Sequence, residues 1–164
     1  MTVALNKMIT LDQLFIGANL FVLPFWAIMI ILPNWDGTKR IMSSFIPFTI
    51  LALLYVGLFF GAVDPESAEA FANLDLTTIA ATFSQKSIAA TSWVHFLVMD
   101  LFIGRWIYWE GQRTQVWTLH SLLLSLFAGP MGLLSHILTA AITEYRRDKQ
   151  SQSSTDSEVS STQA

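Results

Sequence analysis

The chain has 164 residues and no cysteine, and it carries 53% hydrophobic against only 13% charged residues, about half the charge of an ordinary soluble domain. With a mean hydropathy of +0.51, a soluble globule would leave too much bare apolar surface facing water, so the composition assigns the chain to a bilayer as one domain. The missing cysteines exclude thiolate-bound zinc, iron–sulfur clusters, disulfides and a cysteine nucleophile, and a net charge of −3 without a basic run argues against a nucleic-acid partner.

The interior of the first apolar run, residues 11–32, is nearly all apolar, broken only by Asn19 and the tolerated Gly17 and Pro24. At about 1.5 Å per residue its roughly 22 residues reach about 33 Å, enough to cross a hydrocarbon core. A soluble bundle would need a charged helix face recurring every three to four residues, and this run has none. It is too long for a signal-peptide core, has only Lys7 as a basic flank, and ends in Leu32-Pro33-Asn34-Trp35 rather than in small residues, so it is expected to stay on as an anchor. No Arg- and Ser-rich transit segment precedes it, which points to a bacterial or cyanobacterial chain or an already processed one. Residues 41–63, 87–108 and 116–142 repeat the apolar pattern. The expectation is an all-α, four-helix transmembrane bundle over residues 1–145.

The short connections at 33–40 and 109–115 predict antiparallel neighbours for helices one and two and for helices three and four. The longer connection at 64–86 opens on Asp64-Pro65-Glu66, a helix start. Leu76, Ile79, Ala80 and Phe83 then follow helical spacing, predicting a short interfacial helix between helices two and three. After Tyr145 the composition turns basic and then Ser/Thr/Gln-rich, so 146–164 is expected to form a disordered polar tail. Lys and Arg divide almost evenly between the two sides of this topology and set no orientation.

Ionisable groups at bilayer depth cost roughly 2.5–3.5 kcal/mol each on insertion scales, so each needs a reason. The third run holds His95, Asp100 and Arg105. Arg105 lies near its end and can reach the headgroups, whereas Asp100 lies deep. Steps of five residues place neighbours about 140° apart round a helix, so His95 needs a partner from another helix. The fourth run offers one: Thr118, Ser121, Ser125, Gly129, Gly132 and His136 fall on one narrow face, where small residues permit close approach. Depth counting places Asn19, His95, Asp100 and the Ser125–Gly129 step near one level, a candidate polar pocket. Gly57 and Gly61 read as a packing seam, Asp12 as an interfacial cap, and Pro24 and Gly129-Pro130 as helix kinks.

The stretch Trp93-Val94-His95-Phe96-Leu97-Val98-Met99-Asp100-Leu101-Phe102-Ile103-Gly104-Arg105-Trp106 resembles the signature of the plant abscisic-acid-deficient, neoxanthin-synthase-type membrane family and its cyanobacterial relatives. Asp12-Gln13-Leu14-Phe15 with Asn19 and Leu23-Pro24-Phe25-Trp26 resembles the family's first helix, and Gly129-Pro130-Met131-Gly132-Leu133-Leu134 its last, so the likeness covers residues 9–142. The resemblance implies a four-helix membrane protein of carotenoid metabolism, linked to converting violaxanthin to neoxanthin. That conversion is an isomerisation: an epoxide opens as a proton leaves the neighbouring polyene carbon, giving an allene and a tertiary alcohol without a redox cofactor. It needs an acid, a base and a dry groove. A neutral Asp100 as acid and His95 as base are the expected catalytic pair, with Asn19, Trp93, Arg105, Trp106, Ser125 and His136 as substrate contacts. The expected partners are a lipid-soluble carotenoid and membrane lipids, in a thylakoid or plasma membrane, with a homo-oligomer or a photosynthetic complex as the assembly. The alternative is a non-catalytic pigment-binding or assembly subunit, with His95, His120 and His136 as axial ligands to chlorophyll magnesium. A small proton or solute carrier is disfavoured, since the spans form no inverted repeat.

Overall fold

In the computed structural model the described residues are 10–62, 65, 68, 69, 72 and 75–162. Among them are seven helices and no strand: α1 Leu11–Ile31, α2 Asp36–Ser43, α3 Ile46–Ala62, α4 Leu76–Phe83, α5 Lys86–Thr114, α6 Leu119–Phe127 and α7 Gly129–Thr162. Two of them, α1 and α5, are long and apolar enough to cross a membrane, and α2 with α3, bent by 41°, makes a third if the pair is one span. The chain divides into two compact units, Met1–Phe102 and Ile103–Ala164, with α5 contributing to both.

In the first unit α1 opens on a capping box: Thr10 Oγ1 accepts from the Gln13 backbone N–H, and the Gln13 side chain accepts from the Thr10 N–H. Asp12 is therefore not the cap. It pairs with Lys86 at 2.8 Å, and two turns further on Asn19 pairs with Trp93. Both links join residues 74 apart, so α1 and the first half of α5 run parallel and in register. The helix continues through Pro24 to Ile31. Beyond it, fully buried Thr38 of α2 donates its hydroxyl to the Leu32 carbonyl at 2.7 Å, a carbonyl at the α1 terminus that also accepts from the Trp35 backbone N–H at 3.2 Å. Pro47 falls in the first turn of α3, where a missing N–H costs nothing. A side chain at Gly57 or Gly61 would meet nothing within 4 Å, so these glycines face open space in the structure and not a packing seam.

The interfacial helix predicted between the second and third spans is α4. Its N-cap is Asp75, whose carboxylate accepts from the Thr78 backbone N–H and the Thr78 hydroxyl. Those two bonds hold the Asp75 pKa below the ordinary carboxylate value, so the cap persists until the pH falls through that lowered value. Of the expected earlier helix start, Asp64 and Glu66 lie outside the described residues.

The second unit departs most from expectation. Residues 116–142 do not form one continuous span. The chain stops at Phe127, passes through extended Ala128 (φ −160°, ψ 102°) and restarts at Gly129. The two arms then fold back on each other, as Ser121 bonding Ser135 and His120 bonding Thr139 show. Pro130 is the physical reason: it has no N–H with which to continue the ladder and is tolerated only in a first helical turn, so α7 begins just before it. At about 1.5 Å per residue, nine-residue α6 is about 13 Å long, under half a hydrocarbon core. The four-helix bundle therefore gives way to long helices plus a helical hairpin. In α7 the helix continues past Tyr145 through the polar stretch to Thr162, where composition predicts a disordered tail. The described side chains from Glu144 to Ser153 are all exposed, so they add nothing to the buried core.

The end of α5 is held by Arg147, whose guanidinium donates to the Thr114 and Gln115 carbonyls at 2.9 and 3.3 Å. Gln115 sits at φ 56°, the left-handed conformation that ends many helices and favours glycine. Gln115→Gly relieves the left-handed conformation and keeps both carbonyl contacts of Arg147 but loses the Gln115 side-chain donation to the Gln112 carbonyl at 2.7 Å, so a net stabilisation below about 1 kcal/mol is expected. A rise in the thermal unfolding midpoint in detergent checks this.

Candidate functional site

One face of α5 carries Ile88, Thr91, Ser92, His95 and Phe96, which recur at i, i+3, i+4, i+7 and i+8. Tyr55 and Phe59, one turn apart on α3, stand opposite, with Phe83 of α4 and Ala68 closing the wall. Together these nine residues line a half-open cavity of about 530 Å³ within the first unit. That is ample for a bulky ligand, and the wall chemistry is that of a small-molecule site: mostly aromatic and aliphatic, with a few polar groups.

Those polar groups are distinct in what they can do. The Thr91 hydroxyl donates to the Ser87 carbonyl at 2.8 Å, so its proton is already used. Ser92 offers a second hydroxyl. The His95 ring lies 5.4 Å from the Tyr55 ring, inclined at 57°, and 6.2 Å from Phe96 at 75°. Imidazole and phenol thus stand side by side on the wall of an apolar space, an arrangement suited to moving protons where water is scarce.

Sequence-predicted site residues divide among three places. His95 is in the cavity wall. Asn19 and Trp93 meet, but on each other: Trp93 Nε1 donates to Asn19 Oδ1 at 3.0 Å, Asn19 Nδ2 donates to the Phe15 carbonyl at 2.7 Å, and the Phe15 ring lies 6.0 Å from that of Trp93. Neither residue is among the cavity walls. Asn19→Leu leaves the indole N–H without its partner and is expected to cost about 1–2 kcal/mol, read as a lower unfolding midpoint, with Trp93 fluorescence altered. Asp100, half-buried five residues beyond His95, is not among the cavity walls either.

Arg105, Trp106, Ser125 and His136 belong to the second unit. His136 is 1% exposed and packs edge-on against Trp106, ring centroids 5.4 Å apart at 90°. Its two ring nitrogens, like the hydroxyl of fully buried Ser125, have no protein hydrogen-bond partner among the described residues. Around them run the hydrogen bonds of the hairpin seam: His120 Nε2 to Thr139 at 2.8 Å, Ser121 to His120 and to Ser135 at 3.2 Å each. Of the small-residue stripe read as facing another helix, Ser121, Ser125 and Gly132 meet one another across the reversal at Ala128, while Thr118 and His136 lie against Gly111 and Trp106 of α5. Outside the seam, Glu110 and Arg113 form an ion pair on α5.

Sequence reasoning missed Tyr55 and Ser92. The signal for Ser92 was present in the spacing that puts it one turn before His95 on the cavity face. For Tyr55, a lone aromatic in an apolar run, no local signal distinguishes a site wall from a lipid-facing ring.

A sequence model of the ABA DEFICIENT 4-like family matches residues 13–136, which takes in the whole cavity, α6 and the seam up to His136. Over 126 residues the chain is 38% identical to the protein ABA DEFICIENT 4, chloroplastic, of Arabidopsis thaliana, covering 74% of this chain and 57% of that protein. The chain thus spans a little over half the length of this relative. No solved structure matches it.

Proposed function

Because this chain belongs to the ABA DEFICIENT 4-like family, we propose that it is a membrane-embedded xanthophyll isomerase working in the cavity at His95. The observation that carries the reading is that cavity: about 530 Å³ of mainly apolar wall, rich in aromatic rings, with one imidazole and few other polar groups. A carotenoid is far longer than such a space, so one ring end enters while the polyene runs out along the helices into lipid. The aromatic rings Tyr55, Phe59 and Phe96 suit the flat, conjugated neck of that ring.

The reaction is the opening of a 5,6-epoxide. A base takes the proton from the first polyene carbon beside the ring. The electrons of that C–H bond form a new double bond to the epoxide carbon, whose C–O bond breaks towards oxygen. Oxygen then takes up a proton, leaving an allene and a tertiary alcohol. All atoms of the substrate are kept and no electron leaves it. His95 supplies the base: a neutral imidazole accepts a proton without first burying a charge. A dry wall keeps water from the opening epoxide, so the product is the allene and not the hydrolysed diol.

Expression of the chain in a host that accumulates violaxanthin but makes no neoxanthin tests this. Neoxanthin is expected in the pigment extract, and the protein in the membrane fraction. A folded, membrane-inserted protein that co-purifies with pigment and leaves violaxanthin unchanged would instead mark a pigment-binding or assembly subunit.

A further inference from the structure

The isomerisation needs an acid as well as a base, and the sequence candidate for it, Asp100, is not a wall of the cavity. Building on the isomerase reading, we propose that Tyr55 is the catalytic acid, donating its phenolic proton to the epoxide oxygen as His95 takes the proton from carbon.

Three observations single it out. Among the wall residues only Tyr55, Thr91, Ser92 and His95 carry a polar hydrogen, and the Thr91 hydroxyl is engaged with Ser87. The Ser92 hydroxyl has the same acidity class as the tertiary alcohol being formed, so it gains nothing by giving up its proton. A phenol is far more acidic than an aliphatic alcohol, and it waits in its neutral form, so an apolar wall can hold it without a charge-burial penalty. A carboxyl group in the same place would have to be kept protonated.

The second observation is position. In the substrate the reacting C–H carbon and the epoxide oxygen are separated by one carbon, so acid and base must work from neighbouring points. The Tyr55 and His95 rings, 5.4 Å apart on facing helices, are such neighbours. The third concerns turnover. After the step His95 is an imidazolium and Tyr55 a phenolate. The proton returns from the one to the other, and the pair is reset. Substrate and product differ by no proton, so this closed exchange balances the cycle.

The test uses the full chain in liposomes containing violaxanthin, with neoxanthin measured over time. Tyr55→Phe keeps the ring against His95 and removes only the hydroxyl. It is expected to bind violaxanthin with an unchanged KM and to lose at least about 100-fold in kcat. Incorporation of a fluorinated, more acidic tyrosine at position 55 is expected to restore turnover, with the pH profile displaced to lower pH, a change that a packing role does not produce. Turnover by Tyr55→Phe within about threefold of the parent overturns the assignment. So does a collapse of turnover in Asp100→Asn while Tyr55→Phe stays active, which would make Asp100 the acid. If the parent chain itself produces no neoxanthin, the isomerase reading fails and the assignment with it.

Discussion

Gly132→Ala is expected to open the helical hairpin and to cost at least about 2–4 kcal/mol of stability. A Cβ at position 132 would stand 2.6 Å from the Ser121 carbonyl oxygen and 2.6 Å from the Ser125 backbone nitrogen, and would also collide with the Ser125 side chain. The first two belong to the α6 backbone and cannot rotate aside, so the arms themselves must part. Parting them breaks the Ser121–Ser135 and His120–Thr139 bonds and loosens the packing around His136, which is almost fully buried. In a membrane, where apolar surface gains little by leaving lipid, such close contact and interhelical hydrogen bonding are what hold helices together. Thermal unfolding in detergent, followed by tryptophan fluorescence, reads the loss. Gly57→Ala is the matched control: its added Cβ would meet nothing within 4 Å, so the change should be neutral or stabilising by up to about 1 kcal/mol through helix propensity.

His95→Ala is expected to lower the rate of neoxanthin formation by roughly 10²–10⁴-fold, the usual contribution of a positioned general base. The fold should survive, because His95 lines the cavity and is not among the buried core residues. Insertion and the unfolding midpoint should therefore match the parent chain, while the reaction stops. A His95→Ala chain with parental activity would remove His95 from the chemistry and leave the cavity as a binding site only. Phe59→Leu offers a contrast on the facing wall, since it carries no proton: it is expected to weaken substrate binding with little effect on the rate at saturation.

The helices were legible in the sequence because their signals are local. Length and apolarity marked α1 and α5, and the spacing of Leu76, Ile79, Ala80 and Phe83 marked α4. The hairpin was hidden for a related reason: 116–142 is long and apolar enough for a span, and periodicity does not distinguish a helix from two half-helices that share one stripe. Only Gly129-Pro130 signalled the break, and a dipeptide does not separate a kink from a reversal. His95 stood out because a histidine in an apolar run is costly and needs a reason. Its surroundings did not, because depth counting aligned it with residues of the last apolar run, whereas the cavity is completed by Tyr55 and Phe59 of α3 and Phe83 of α4. Asn19 and Trp93 were paired by no sequence rule. Their meeting depends on the parallel register of α1 and α5, which joins residues 74 apart.

The most direct test of the isomerase reading is made with the purified chain alone, reconstituted in liposomes with violaxanthin in water enriched in ¹⁸O. An intramolecular epoxide opening predicts neoxanthin of unchanged mass, its new hydroxyl holding the original epoxide oxygen. Violaxanthin left unconverted by well-folded protein, or a product carrying ¹⁸O, would contradict it.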